Sequence, residues 1–137
     1  MADADDGTVR RVLRAHTWAV VGLSGNPARA AFGVAEFLQA QGKRIVPVHP
    51  GAVAVLGEPV WPSLTDIPFP VDVVDVFRRS DAAGAVADEA VRLGAGAVWF
   101  QLGVIDEAAA DRVRAAGLAM VMDRCPKIEW PRLGPGR

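Results

Sequence analysis

Five short runs in this chain are apolar almost from end to end, at residues 17–23, 44–48, 71–76, 97–100 and 118–122. Most are separated by segments whose apolar residues recur at helical spacing. A strand with one wet face alternates apolar and polar residues, whereas a run apolar at nearly every position has both faces covered. Such strands, joined through helices, form a parallel sheet, since each right-handed crossover lays a helix over it. The stop signals agree: Gly42, Gly94 and Gly117 close the helical segments 30–41, 80–93 and 106–116, where a left-handed residue ends a helix. The chain therefore reads as α/β, a single Rossmann-like three-layer sandwich with a five-stranded parallel sheet.

The remaining segments fit around that frame. Residues 8–15 place Val9, Val12 and Leu13 on one side of a short amphipathic helix, expected against the sheet edge. Pro47 inside the second run requires an edge strand or a ladder that leaves that position unused. Ser80 is the expected N-cap of the helix that follows the third run. Between Pro50 and Pro70 five prolines, with Gly51 and Gly57, predict an irregular connection holding one helical turn at 63–67. Gly and Pro in the tail from Arg132 predict a frayed end, so the single domain spans 1–137 with 1–7 and 134–137 flexible.

A chain of 137 residues hides roughly two-thirds of its unfolded surface, enough for a core without disulfides or a structural metal. The lone Cys125 excludes an internal bridge and suits a reducing compartment. Fifteen basic against sixteen acidic residues leave a net charge of −1, which gives no global attraction to nucleic acid or anionic membrane. No apolar run reaches bilayer length, and the acidic start is unlike a signal peptide, so the expected location is cytoplasmic.

In parallel sheets of this kind ligands sit outside the carboxyl ends of the strands, near the point where strand order reverses. After the first run comes Gly22, Leu23, Ser24, Gly25, Asn26 and Pro27, opening the first long helix where backbone amides hold a phosphate. Gly22 lets the backbone turn, Ser24 and Asn26 offer donors, and Arg29 adds a guanidinium fork. The plainer reading is a strand–helix turn with Asn26 as cap and Arg29 on a solvated face. A nicotinamide site needs an acidic residue after the second strand, and Val48, His49 and Pro50 stand there instead. His49 either meets an adenosine group or is a turn residue. Val76, Phe77 and Arg78 end the third run with an aromatic and a cation able to flank a base and reach phosphate, or with a core ring and a solvated charge. After the fourth, Gln101 can hydrogen-bond a polar ligand group and Gly103 allows close approach.

No catalytic residue and no metal ligand set emerges. Cys125 lies beside Arg124 and Lys127 without a paired base and reads as structural. His16 precedes the first strand, at the opposite end of the sheet. Asp72 and Asp75 flank apolar residues of the third run without forming an acid/base pair.

Taken in order, Gly22-Leu-Ser24 with Arg29, Val46-Pro-Val-His-Pro50, Leu56-Gly57, Val73-Val-Asp-Val-Phe-Arg78, Val98-Trp-Phe-Gln-Leu-Gly-Val104 and Asp123-Arg-Cys-Pro-Lys-Ile-Glu129 resemble the stand-alone CoA-binding domain proteins, over residues 8–133. That family is similar to the CoA-binding Rossmann domain of the succinyl-CoA synthetase α subunit. The resemblance implies CoA or acyl-CoA as ligand. It sets Gly22, Ser24, Asn26 and Arg29 toward the phosphates, and His49 and Pro50 toward the adenosine portion. Val76, Phe77 and Arg78 would form the wall beside it, with Gln101 and Gly103 on the pantetheine side. The sequence departs at His49, where the family usually has Asn. The synthetase's phosphorylated histidine belongs to a second domain with no counterpart here, so ligase chemistry is not implied. The expectation is a CoA-binding, nucleotide-binding module without chemistry of its own, taking a small-molecule nucleotide and neither nucleic acid nor membrane. The alternatives are a small NAD(P)-dependent reductase, a CoA-dependent enzyme component that needs a partner, and an interaction module. A homodimer or a protein partner over an exposed Trp130-Pro131 tail belongs to the same expectation.

Overall fold

A computed structural model describes residues 4–135. Helix α1 (Asp6–Leu13) leads into β1 (Thr17–Val21), α2 (Ala30–Ala40) and β2 (Arg44–Val48). A hairpin of β3 (Ala54–Val55) and β4 (Glu58–Pro59) and a 3-10 turn at Leu64–Asp66 fill the connection to β5 (Val73–Val76). There follow α3 (Ser80–Leu93), β6 (Ala97–Phe100), α4 (Glu107–Ala115), β7 (Ala119–Val121) and α5 (Pro126–Leu133). The main sheet has five parallel strands in the order β2-β1-β5-β6-β7.

Each strand divides its side chains between two buried layers. Ala19 and Val21 of β1, Val74 and Val76 of β5, and Val98 and Phe100 of β6 pack with Ala83, Ala87 and Ala90 of α3 and Ala109, Ala110 and Val113 of α4. Trp18 and Val20, Val73, and Ala97 and Trp99 face the other way, onto Val9, Val12 and Leu13 of α1, Val34 and Leu38 of α2, and Leu133 of α5. Small residues on α3 and α4 let two helices lie close on one face. The opposite layer is filled by Trp18 and Trp99, with ring centroids 5.8 Å apart.

The three-layer α/β sandwich is the one expected, and Gly42, Gly94 and Gly117 all adopt positive φ, at 87°, 76° and 89°. Pro47 lies on the edge strand β2, where Trp61 uses its carbonyl from outside the sheet. Four details differ from the sequence reading. Asp5, with its side chain accepting from Thr8 N at 2.7 Å, caps α1, so residues 5–7 are a cap and a first turn. The expected loose ends 1–3 and 136–137 lie outside the described residues. Of the expected frayed tail, Arg132 and Leu133 are the last residues of α5, with Leu133 2% exposed. Trp130 is half-buried against Phe37 at 5.7 Å, so it is no exposed tail. Arg79, not Ser80, occupies the cap position of α3. The Ser80 hydroxyl instead donates to Gly103 O and accepts from Ile105 N, tying α3 to the loop after β6.

Candidate functional site

β1 has β2 on one side and β5 on the other, so the chain leaves it in opposite directions and the strand order reverses there. Helices connecting to opposite faces part at this point and leave a crevice above the carboxyl ends. The crevice measures about 510 Å³ and runs from His49, past Gly22, Ser24 and Arg29, over Phe77 and Arg78, to Gln101, Val104 and Cys125.

Gly22 makes the crossing of β1 and β5 narrow. Its φ is +98°, and a Cβ there would stand 2.6 Å from the Phe77 carbonyl oxygen. Its amide donates to Val48 O, while Phe77 N donates to Val21 O, each at 2.9 Å, so three strand ends are drawn together. A side chain would break that junction on both counts.

The loop beyond Gly22 is wound by its own polar groups. Ser24 Oγ accepts from Asn26 N at 3.3 Å, Asn26 Oδ1 from Ala28 N at 3.0 Å, and Asn26 O from Arg29 N at 3.1 Å. Asn26 thus acts as a turn former as well as a cap-like acceptor. Helix α2 then starts with no side-chain cap and no acidic residue in its first turn, and Ala30 and Ala31 line the crevice. An uncapped helix start over a cleft presents amides and a partial positive charge to an anion. Arg29 and Arg78, both exposed, stand beside it without a carboxylate partner among the described residues, whereas Arg79 is held by Asp81 at 3.1 Å.

His49 Nδ1 accepts from Gly51 N at 3.0 Å. The ring proton then resides on Nε2, which leaves that nitrogen as a donor. At the other end of the crevice Gln101 is 5% exposed, and its Oε1 has no hydrogen-bond partner. A buried amide oxygen without a donor is a cost that a ligand N–H removes.

Of the residues expected at the site, Gly22, Ser24, Arg29, His49, Phe77, Arg78 and Gln101 line this crevice. Asn26 is exposed in the loop beside it. Pro50 borders a smaller depression along α3 that shares Arg78. Val76 is fully buried in the layer against α3, and Gly103 is not part of the lining although Leu102 and Val104 on either side of it are, its amide donating to Asp123 Oδ1 at 2.7 Å. Ala30, Ala31, Val34, Leu102, Val104 and Cys125 were not singled out as lining, and all six border it. Cys125 was legible in part, since it follows the fifth strand. What brings it here is the hydrogen bonding of Arg124 to the end of β6, where Arg124 N donates to Phe100 O at 3.3 Å and Trp99 Nε1 donates to Arg124 O at 2.8 Å.

Among the described residues, no group of His, Cys, Asp and Glu could hold a metal ion, and no helix is long and apolar enough to cross a membrane.

Comparison with known proteins places these features in a family. YneT of Bacillus subtilis (strain 168), an uncharacterised protein, is 35% identical over 129 residues, covering 93% of this chain and 96% of YneT. A hypothetical protein from Pyrococcus horikoshii superposes with a TM-score of 0.89 at 35% identity, over 94% of this chain and 92% of that one. A Thermus thermophilus protein gives 0.86 at 37% identity, over 94% and 98%. The family described as the CoA binding domain matches residues 16–131, a span that holds every crevice residue named above. With that match extending over most of its length, the chain belongs to the CoA binding domain family.

Proposed function

We propose that the chain is a CoA-binding module that holds CoA or an acyl-CoA along the carboxyl ends of β1, β5 and β6, without catalysis of its own. The observation that carries this reading is the graded chemistry of one crevice. An uncapped helix start and two cations without carboxylate partners among the described residues lie along it from β1 to β5, and a buried amide with an unmatched oxygen lies beyond them at the end of β6. CoA has the same gradation, from a multiply charged nucleotide to a neutral pantetheine arm with amide donors. The His49 Nε2–H offers a donor where the family usually has Asn. A nicotinamide nucleotide is the weaker fit, because no carboxylate follows β2 to hold its ribose.

Calorimetric titration with CoA, 3'-dephospho-CoA, NADH and NADPH at one salt concentration tests the reading. Saturable binding of CoA but of neither nicotinamide nucleotide is expected, and the dephospho comparison reads whether the 3'-phosphate is recognised. Preference for NADPH over CoA would replace this reading with the reductase, and binding of none of the four would replace it with an interaction module. Arg29→Ala is expected to weaken CoA binding about tenfold, the loss of one exposed charge-assisted contact, and to flatten its salt dependence. Unchanged affinity and salt slope would remove Arg29 from the phosphate site.

A further inference from the structure

The one thiol of the chain borders the crevice that holds the buried, unpartnered Gln101 oxygen. Cys125 is 8% exposed and takes the cap position of α5, yet its side chain makes no cap hydrogen bond. Its backbone carbonyl is occupied by the amides of Ile128 and Glu129, each at 3.0 Å. The two Arg124 bonds to β6 hold the preceding residue in place, so the thiol is positioned by backbone on both sides while its sulfur stays unengaged. A purely structural cysteine belongs in a sealed core. This one shares a buried layer with Ala31 and Val34 of α2 and, like them, forms part of the crevice lining.

The ligand's direction follows from charge. Arg29 and the start of α2 draw the anionic end of an extended ligand toward β1, which sends its uncharged end toward Gln101, Val104 and Cys125. The uncharged end of CoA is itself a thiol.

We propose that Cys125 is a thiol-exchange site for the sulfur terminus of the bound nucleotide thiol, taking it up from the disulfide form of that ligand. This rests on the CoA reading above. The Cys125 thiolate attacks one sulfur of the ligand disulfide. That S–S bond breaks as the Cys125 Sγ–S bond forms, and the departing thiolate takes up a proton equivalent to the one Cys125 gave up. One disulfide is consumed and one is made, so no further oxidant enters. A second free thiol reverses the step by the same attack. Because Cys125 is nearly closed off, a disulfide that the crevice does not seat meets it slowly, and selectivity comes from binding.

Intact-mass measurement without reductant tests the site, using CoA disulfide and glutathione disulfide as probes beside calorimetry with CoA. The protein is expected to gain one CoA unit, removable by dithiothreitol and mapped to the Cys125 peptide, at least about tenfold faster than it gains glutathione. Adenosine 3',5'-bisphosphate, which carries no sulfur, is expected to slow the gain. Cys125→Ser and Cys125→Ala are both expected to bind CoA reversibly and gain nothing, and two variants guard against one failing to fold. Reversible CoA binding with no adduct would overturn the exchange site and leave the CoA reading standing. Equal rates with both disulfides would overturn it as well, showing a merely accessible thiol. Absence of both CoA binding and adduct would overturn the two together.

Discussion

Asp75 stands in the middle of β5 between Val20 of β1 and Trp99 of β6, fully buried, with no hydrogen-bond partner for either carboxylate oxygen. Burial pushes its pKa well above the ordinary 3.8, since an unpaired charge in an apolar layer is costly. The sign of the effect on stability is fixed by which state binds the proton. Below 3.8 the group is neutral folded and unfolded, and it imposes no ionic penalty. As pH rises above that value the unfolded chain ionises while the folded one keeps its proton, so stability falls until the raised folded pKa is passed. Asp75→Asn removes the titration and keeps the size. Thermal melts from pH 4 to 8 are expected to show the wild type losing stability relative to Asp75→Asn as pH increases, and a constant difference would mean that Asp75 is ionised in the folded protein. The sequence displayed this carboxylate inside an apolar run. In a sheet covered on both faces neither side of the strand leads to water, so the apolar run around it implies its burial, whereas its lack of a partner was not legible.

Elements whose signals are local were legible, and those that depend on distant contacts were not. The bounds of β2, α3 and β6 follow directly from apolar runs, helical spacing and Gly94. The single turn expected at 63–67 is present at Leu64–Asp66, with Ser63 and Asp66 bonding each other's backbone in a capping box. The hairpin of β3 and β4 went unread because its strands are two residues each, around Leu56 and Gly57 at φ 53° and 79°. Helix α5 went unread for a different reason. Pro131 lies inside it and Gly134 follows, signals that locally argue for a loose tail. Pro126 opens the helix, and the packing of α5 against α1 and α2 supplies what its sequence lacks. Arg132 adds an exposed ion pair to Asp6 at 3.0 Å, which contributes little. Leu133 is therefore the residue whose burial holds the end of α5. Leu133→Ala is expected to cost about 2–4 kcal/mol in urea unfolding, while CoA affinity, set at the other end of this helix and at α2, stays within about twofold. A loss of affinity to match the loss of stability would mean that α5 as a whole shapes the crevice.

At the scale of the molecule, topology decided which loop residues meet. Residues set just beyond the strands converge because a parallel sheet brings all its carboxyl ends to one edge, which is why seven of the eleven expected residues line one crevice. Spacing along the chain does not specify orientation, and two of the other four differ on that account: Val76 packs into the layer against α3, and the Gly103 amide bonds Asp123. A crevice assembled from five separate strand ends and the start of α2 couples its ligand to the whole fold, since unfolding disperses every contributor at once. CoA at a hundred times its dissociation constant is then expected to add about 2.7 kcal/mol of stability. For a two-state domain of 137 residues each kcal/mol raises the midpoint by about 3–4 °C. The expected shift in a thermal melt is roughly 8–11 °C. At the same CoA concentration Arg29→Ala, binding about tenfold more weakly, retains about 1.4 kcal/mol of that gain and roughly half the shift. NADPH at equal concentration is expected to leave the midpoint within about 1 °C of the free protein. A shift with NADPH in place of CoA would return the crevice to the nicotinamide reading, and the same shift with both would mean that it recognises only the adenosine phosphate they share.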